Sequence, residues 1–482
     1  MQFNSHIFIL LFMPLTIAAY FLFNKLGVLY GKILLIVASV VFYSLAGTGA
    51  LAYLIASILV NYVLIRFIRK SKAHKKAWFI FAVTLNAASL VFFKYYGFCT
   101  ENIPLIASSN SSFKELIVPL GISFYTFSAI AYLAAVYDGT LSDTGFLNYA
   151  LYMLYFPKLT MGPITEPSDI IPQFDDVKRK KADSDNLSSG IKLFSLGLIK
   201  KALFADTFAA AVTAGFSNVQ ALNSMETLIT MLSYTFEIYF DFSGYSDMAT
   251  GISLMLNIDL PINFDSPYKA TSIRDFWKRW HISLTSFLTK HIYIPLGGSR
   301  RGKVMTLVNT MIVFLISGMW HGANWTFWLW GCFHGLLMCA ERVFEKAFKK
   351  LSDVVRWFYT FISVNVLWLL FRASSIGQWK ELLKRILFFQ DTKAGEFMLD
   401  AFDMTESSIL QNVPGIGYLA SNMRGFYAFA FFTAAFLICL IPENNYRNKG
   451  KRTLFGAIIC ALLLVWGILC LSGESTFVYF GF

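Results

Sequence analysis

The chain has 482 residues, 56% of them hydrophobic, 17% aromatic and only 15% charged, with a mean hydropathy of +0.56. Soluble domains carry about 25% charged residues, so the composition excludes an ordinary soluble enzyme and points to an all-α polytopic membrane protein. The formal charge of +12 falls in short loops between apolar runs, which is the positive-inside pattern of a membrane protein and not a nucleic-acid footprint.

The apolar runs are long and continuous, unlike the short alternating strands of a membrane barrel. Runs of this length predict about 11–13 transmembrane or re-entrant helices. The N-terminal MQFNSHIFILLFMPLTIAAYFLFNK lacks a basic leader and a small-residue cleavage site, and is expected to be a retained first span. Candidate spans lie near 7–23, 29–45, 50–67, 78–98 and 117–136, followed by a weaker segment at 147–161. Further candidates are 191–214, 228–256, a hairpin at 304–340, 355–371, 426–441 and 454–471.

Five basic clusters lie near residues 66–76, 178–181, 300–303, 346–350 and 447–452. Placing all five in the cytoplasm puts the N-terminus outside, makes 147–161 re-entrant and leaves the terminal FVYFGF outside. The segment WKELLKRILFF at 379–389 separates apolar from basic residues on a helix, as an interfacial helix does. No fixed repeat or low-complexity tract appears, so 1–482 reads as one membrane domain. The six cysteines, Cys99, Cys332, Cys339, Cys439, Cys460 and Cys470, lie in or beside apolar runs without CxxC spacing. They read as small hydrophobes.

One stretch gathers the chemistry. Residues 314–331, FLISGMWHGANWTFWLWG, place His321 among tryptophans and glycines inside an apolar run. An ionisable group at membrane depth defaults to a functional reading, against the alternative of a neutral imidazole satisfied by the backbone. Gly318 and Gly322 would let another group approach, and Asn324 adds a polar atom. A second histidine, His281, lies forty residues upstream in RDFWKRWHISL, where it is either a site residue or a headgroup contact.

The stretch TFEIYFDFSGYSDMATG places Glu237 and Asp241 four residues apart, on one helix face, with Asp247 beyond. Arg274, Lys278 or Arg279 could pair with these carboxylates, or the carboxylates could line a polar cavity near His321. Gly297–Lys303, GGSRRGK, fits the spacing of a P-loop, but Val304 stands where the Mg²⁺-binding hydroxyl belongs and no strand precedes it. Its Arg300 and Arg301 are either a plain anchor or a cradle for donor phosphates. GYSDM at 244–248 is not a nucleophile elbow, and the histidines lack metal-ligand spacing, so no metal is expected.

The stretches at 118–139, 155–164, 239–251, 275–288 (DFWKRWHISLTSFL), 293–302 (YIPLGGSRRG) and 317–335 (SGMWHGANWTFWLWGCFHG), with the opening FNSHIFILLFMPL and terminal FVYFGF, resemble the membrane-bound O-acyltransferase family. The likeness is to the branch of the alginate O-acetyltransferase membrane subunit and, more distantly, to the D-alanyl transfer protein of teichoic acid modification. The resemblance implies a ring of tilted helices around a central funnel, with core motifs at about 118–345 and C-terminal helices at 353–482. It makes His321 the catalytic histidine and His281 its supporting partner. One departure is visible: relatives carry Arg-Asp before YIPLGG, where this chain has Lys290 and His291.

The chemistry so implied is O-acyl transfer, and O-acetyl transfer in particular, from a cytoplasmic thioester such as acetyl-CoA towards hydroxyls of an exported polysaccharide. No bound cofactor is expected. His321 would act as base, His281 would orient a substrate, and Asn324 would donate to the oxyanion. Trp320, Asp241, Arg300 and Arg301 are the further candidates for substrate or donor binding. An extracytoplasmic acetyltransferase partner and a location in the inner or plasma membrane are also expected. The competing readings are a flippase for a lipid-linked or acyl-bearing substrate, which would need inverted repeats and broken helices, and a family member acting on a lipid or protein hydroxyl.

Overall fold

A computed structural model describes residues 1–102, 118–390, 393–403, 424–442, 444, 446, 454–471, 477 and 478. The described chain is helical, and it packs as two compact units that share the sequence in an interleaved way. One holds 1–194, 245–262 and 286–295; the other holds 195–244, 263–285 and 296–482. The division does not follow the boundary between core motifs and C-terminal helices that the sequence suggested.

The first unit opens with helices α1 (Met13–Leu26), α2 (Val28–Ser44), α3 (Thr48–Lys70) and α4 (Lys75–Asn102). It continues with α5 (Ile122–Asp138), α6 (Gly145–Leu154), α7 (Phe156–Leu159), α8 (Pro167–Asp175) and the first part of α9 (Ser184–Ile199). Leu10, Leu15, Leu22 and Leu26 stand exposed, as side chains do when lipid is their solvent. The inner faces close on Phe3, Phe8, Phe42 and Phe156.

The weak segment at 147–161 is broken into α6 and α7 at Tyr155. The Phe156 N–H freed by that break is taken by the Ser39 hydroxyl at 3.1 Å. Part of the basic loop at 178–181 has structural work beyond orientation. Lys180 is buried, donating to the Gln173 carbonyl at 3.0 Å, and Arg179 pairs with Asp259 at 2.9 Å.

The second unit contains α10 (Asp206–Ser217), residues 224–244 of α11 (Ser224–Met255), α12 (Ile273–Arg279) and the start of α13 (Ile282–Leu288). Then follow the hairpin α14 (Gly302–His321) and α15 (Trp325–Val343), the short α16 (Glu345–Phe348), α17 (Asp353–Arg372) and α18 (Ile376–Leu387). A short helix α19 (Glu396–Leu399) precedes α20 (Arg424–Leu440) and α21 (Leu454–Leu469).

Helix starts are set by side-chain caps that satisfy otherwise orphaned N–H groups. Asn223 and Glu226 form a reciprocal capping box before α11, each side chain accepting the other's backbone N–H at 2.9 Å. Ser272, Ser352 and Ser375 cap α12, α17 and α18.

Among the described residues, five helices are long and apolar enough to cross a membrane: Phe8–Leu26, Thr48–Lys70, Lys75–Thr100, Gly302–His321 and Asp353–Arg372. These coincide with the sequence-based spans, and the hairpin at 304–340 is formed by α14 and α15. The segment expected to be interfacial forms α18; it buries Leu382, and Trp379 donates to the Val366 carbonyl at 3.1 Å. Leu387, Phe388 and Phe389 stay exposed at its end. The cluster at 447–452 and residues 479–482 lie outside the described residues.

Candidate active site

All seven candidate residues belong to the second unit. Helix α12 ends at Trp280, and the backbone reverses through His281 at φ 45° before α13 begins. A left-handed conformation costs a non-glycine residue about 1–3 kcal/mol and persists only where its surroundings impose it. Here Asn263 imposes it. Its backbone carbonyl accepts the Ile282 N–H at 2.9 Å, and its side-chain oxygen accepts the Ser283 N–H at 3.2 Å and the Ser283 hydroxyl at 2.8 Å.

The same Asn263 oxygen lies 3.0 Å from His281 Nδ1. An amide N–H can only donate, so the Asn263 atom facing Ser283 is the oxygen, and Nδ1 must carry the proton. The lone pair of His281 therefore resides on Nε2. Complete burial pushes this imidazole down to about 3, so it is neutral at physiological pH. Phe242 packs edge-on against it at 4.7 Å.

His321 is the last residue of α14 and is 4% exposed. Aromatic rings wall it: Trp320 at 4.7 Å, Phe371 of α17 at 5.1 Å and Trp330 of α15 at 5.2 Å between centroids. The Trp320 indole also lies 6.2 Å from the His281 ring, so one indole contacts both imidazoles. The structure thus brings His281, Trp320 and His321 together.

The glycines serve the hairpin itself. A Cβ on Gly318 would meet the Phe327 carbonyl at 2.4 Å, and one on Gly322 would meet the Phe327 ring at 2.3 Å. The close approach expected at these glycines is made by α15. His334, farther along α15, accepts a hydrogen bond on Nδ1 from the Trp277 indole at 3.2 Å, which ties the hairpin to the helix leading into His281.

The other candidates stand apart from the histidines. Asn324 caps α15, accepting the Thr326 N–H at 3.1 Å and donating to the Ser374 carbonyl at 3.0 Å. It belongs to the turn, and the oxyanion role is not carried forward. Arg300 and Arg301 are exposed in the glycine loop at the start of α14. Twenty helical residues separate that loop from His321, a rise of about 30 Å. These arginines cannot act at the imidazole.

Asp241 is fully buried, and its partners are not the expected Arg274, Lys278 or Arg279. Lys201 takes one oxygen at 2.7 Å and Asp206 at 2.9 Å, while the Val478 N–H donates to the other Asp241 oxygen at 3.0 Å. Phe477 lies beneath the Lys201 ammonium at 4.6 Å and is buried. Phe477, the first residue of FVYFGF, is therefore packed inside the unit. Of the expected cationic partners, Arg279 pairs with Asp275 at 3.0 Å, and Arg274 and Lys278 are exposed.

The Lys290–His291 departure is also resolved, in the first unit. Glu166 supplies the carboxylate, 2.9 Å from Lys290 and 3.5 Å from His291. Burial alone would push the Glu166 carboxyl up, but the hydrogen bonds from His291 and Lys290 and the Lys290 charge bring it below its ordinary value.

Sequence reasoning missed Asn263, Lys201 and the cage residue Phe371, whereas Trp330 lies among the tryptophans of the 314–331 stretch. Of the three, Lys201 carried a signal, being a charge inside the apolar 191–214 run.

Residues 75–375 match the family profile described as MBOAT, membrane-bound O-acyltransferase family. The chain is similar to a peptidoglycan O-acetyltransferase of Helicobacter pylori, at 35% identity over all of this chain and 97% of the relative. It is similar to a Pseudomonas putida protein named "Probable alginate O-acetylase AlgI", at 34% identity over the whole of both chains. A teichoic acid D-alanyltransferase of Streptococcus thermophilus is 28% identical over 46% of this chain and 56% of the relative.

Proposed function

The chain belongs to the membrane-bound O-acyltransferase family, and from that premise we propose that it is a polysaccharide O-acetyltransferase with His321 as its base. As a member it is a multi-pass membrane acyltransferase. The full-length relatives named for peptidoglycan and alginate O-acetylation support a cell-surface polysaccharide as acceptor.

The observation that carries the residue assignment is the juxtaposition of His321, Trp320 and His281 in one buried aromatic setting. In the proposed reaction a neutral His321 removes the proton of an acceptor hydroxyl as its oxygen attacks the acyl carbon. The carbon–sulfur bond breaks, and the departing thiolate takes the proton. Base catalysis of this kind supplies about 10²–10⁴-fold. The aromatic wall excludes water, which protects a thioester from hydrolysis. His281 presents Nε2 as an acceptor and orients a hydroxyl or donor amide. The donor is proposed to be acetyl-CoA or another acyl thioester on the cytoplasmic side. An extracytoplasmic acetyltransferase partner is proposed to act with it on the exported polysaccharide, with the protein in the inner or plasma membrane.

The test is polysaccharide ester content in cells carrying His321→Ala, with membrane levels of the variant matched to the parent. Loss of ester at matched levels is expected. Retained ester would return His321 to a packing role.

A further inference from the structure

At the far end of the hairpin from His321, a cavity of about 120 Å³ opens among Arg274, Glu341, Arg342, Glu345, Lys349 and Arg356. Four cationic side chains against two glutamates leave this lining at +2. The glutamates are already committed. Glu341 accepts the backbone N–H groups of Ile273 and Arg274 at 2.7 and 3.1 Å, which caps α12. Glu345 pairs with Lys349 at 2.7 Å, and Arg356 pairs with Asp353. Among the described residues, neither the Arg274 nor the Arg342 guanidinium makes an ion pair within 4.0 Å. Both guanidinium groups act on Glu345 through charge, and Arg274 also on Glu341, but the lining keeps its net +2, and two such forks at one cavity match the bidentate geometry of a phosphate oxygen pair.

What surrounds the cavity favours a particular source of phosphate. Val343, Phe344, Val354 and Phe358 flank it, each more than half exposed, with Phe344 at 66%. Those side chains suit acyl chains and offer nothing to a nucleotide. Lys346 and Lys350 beside them belong to a cluster that positive-inside placement puts at the cytoplasmic surface, where the leaflet is anionic. The cavity is also well below the roughly 300–1,000 Å³ of sites that enclose a whole ligand. It accepts a headgroup, with the rest of the ligand outside.

We propose that this cavity is a phosphate-ester site, formed by Arg274 and Arg342, that holds the headgroup of an anionic phospholipid from the cytoplasmic leaflet. The site does not touch the histidines, so it stands or falls independently of the acyl-transfer assignment.

The experiment uses full-length protein reconstituted with mixed phosphatidylglycerol and phosphatidylcholine, then re-extracted in mild detergent. The ratio of the two lipids retained per protein is measured. Wild type should retain phosphatidylglycerol over phosphatidylcholine by about tenfold. Arg274→Gln/Arg342→Gln should lose that preference, and Lys346→Gln/Lys350→Gln, which removes equal charge outside the cavity, should keep it. If the first double variant is not monodisperse, Arg342→Gln alone is measured in its place.

Added coenzyme A distinguishes the two sources of phosphate. No displacement of lipid supports the headgroup, whereas displacement keeps the phosphate-ester site and overturns its assignment to lipid. Equal preference in wild type and Arg274→Gln/Arg342→Gln, or its loss in Lys346→Gln/Lys350→Gln, overturns the site.

Discussion

His281 and His321 share one indole neighbour and are seated by different physics. His281 sits on a backbone turn that Asn263 holds through hydrogen bonds, and Asn263 also determines which ring nitrogen carries the proton. His321 ends a helix and is walled by the edges and faces of Trp320, Trp330 and Phe371. A hydrogen bond to a known acceptor fixes a tautomer. Ring contacts fix the plane of an imidazole. In the proposed reaction His281 presents one constant face, and His321 is the group that gains and loses a proton.

The largest test of that contrast is to remove each ring in turn. His321→Ala should lower the acyl-transfer rate by about 10²–10⁴-fold with folded protein retained. His281→Ala should act more through substrate affinity than through turnover. Equal loss of turnover in both would erase the distinction.

A backbone test comes next. In Gly318→Ala the added carbon must displace Phe327, and overpacking of this kind costs about 1–3 kcal/mol. The hairpin legs should separate, lowering both thermal stability and activity, because the His321 wall spans both legs. Unchanged activity at reduced stability would show that the wall tolerates misalignment.

The effect of Asn263→Ala should be of similar or smaller size. Leaving the buried Ser283 and His281 donors without their acceptor costs about 1–3 kcal/mol. Asn263→Asp, which keeps an acceptor oxygen, should recover part of the loss.

The acid response of stability sharpens the same point. His281 has its folded value lowered from 6.5 to about 3, so the unfolded chain binds the proton first. The stability it contributes is complete above pH 6.5 and is lost as pH falls towards 3. His281→Asn should flatten the thermal midpoint across that window relative to the parent, and a parallel decline in both would contradict the neutral seat.

The smallest effect is expected at Glu166, far from this contrast. Glu166→Gln removes a partly exposed pairing with Lys290 and His291, and should cost about 1 kcal/mol or less. Because its folded carboxyl is lowered, the parent keeps that increment at neutral pH and loses it as pH falls below the ordinary value of 4.5.

The long spans were legible because lipid exposure forces continuous apolar runs, and the hairpin around His321 followed from the same rule. His281 was singled out by its aromatic and basic company. Its anchor was not, because Asn263 lies in an unremarkable PINFDSP stretch eighteen residues away and acts through backbone geometry. The partners of Asp241 were sought in the nearest basic loop. The true partner, Lys201, sits on another segment and carries no local periodicity. Gly318 and Gly322 were correctly sensed as points of close approach, but sequence cannot say that the approaching group is the other leg of the same hairpin. Asn324 shows the converse: a polar residue beside a catalytic candidate can be fully explained as a helix cap.

The hydrogen bond from Val478 to Asp241 has a consequence for how the protein is made. Asp241 is synthesised 237 residues before Val478, so the nascent chain carries this carboxylate without that donor until residue 478 has been added. That contact therefore forms only once the chain has been made as far as residue 478. A chain cut just before residue 478 would keep the five long apolar helices found among the described residues and would leave the buried Asp241 without that donor.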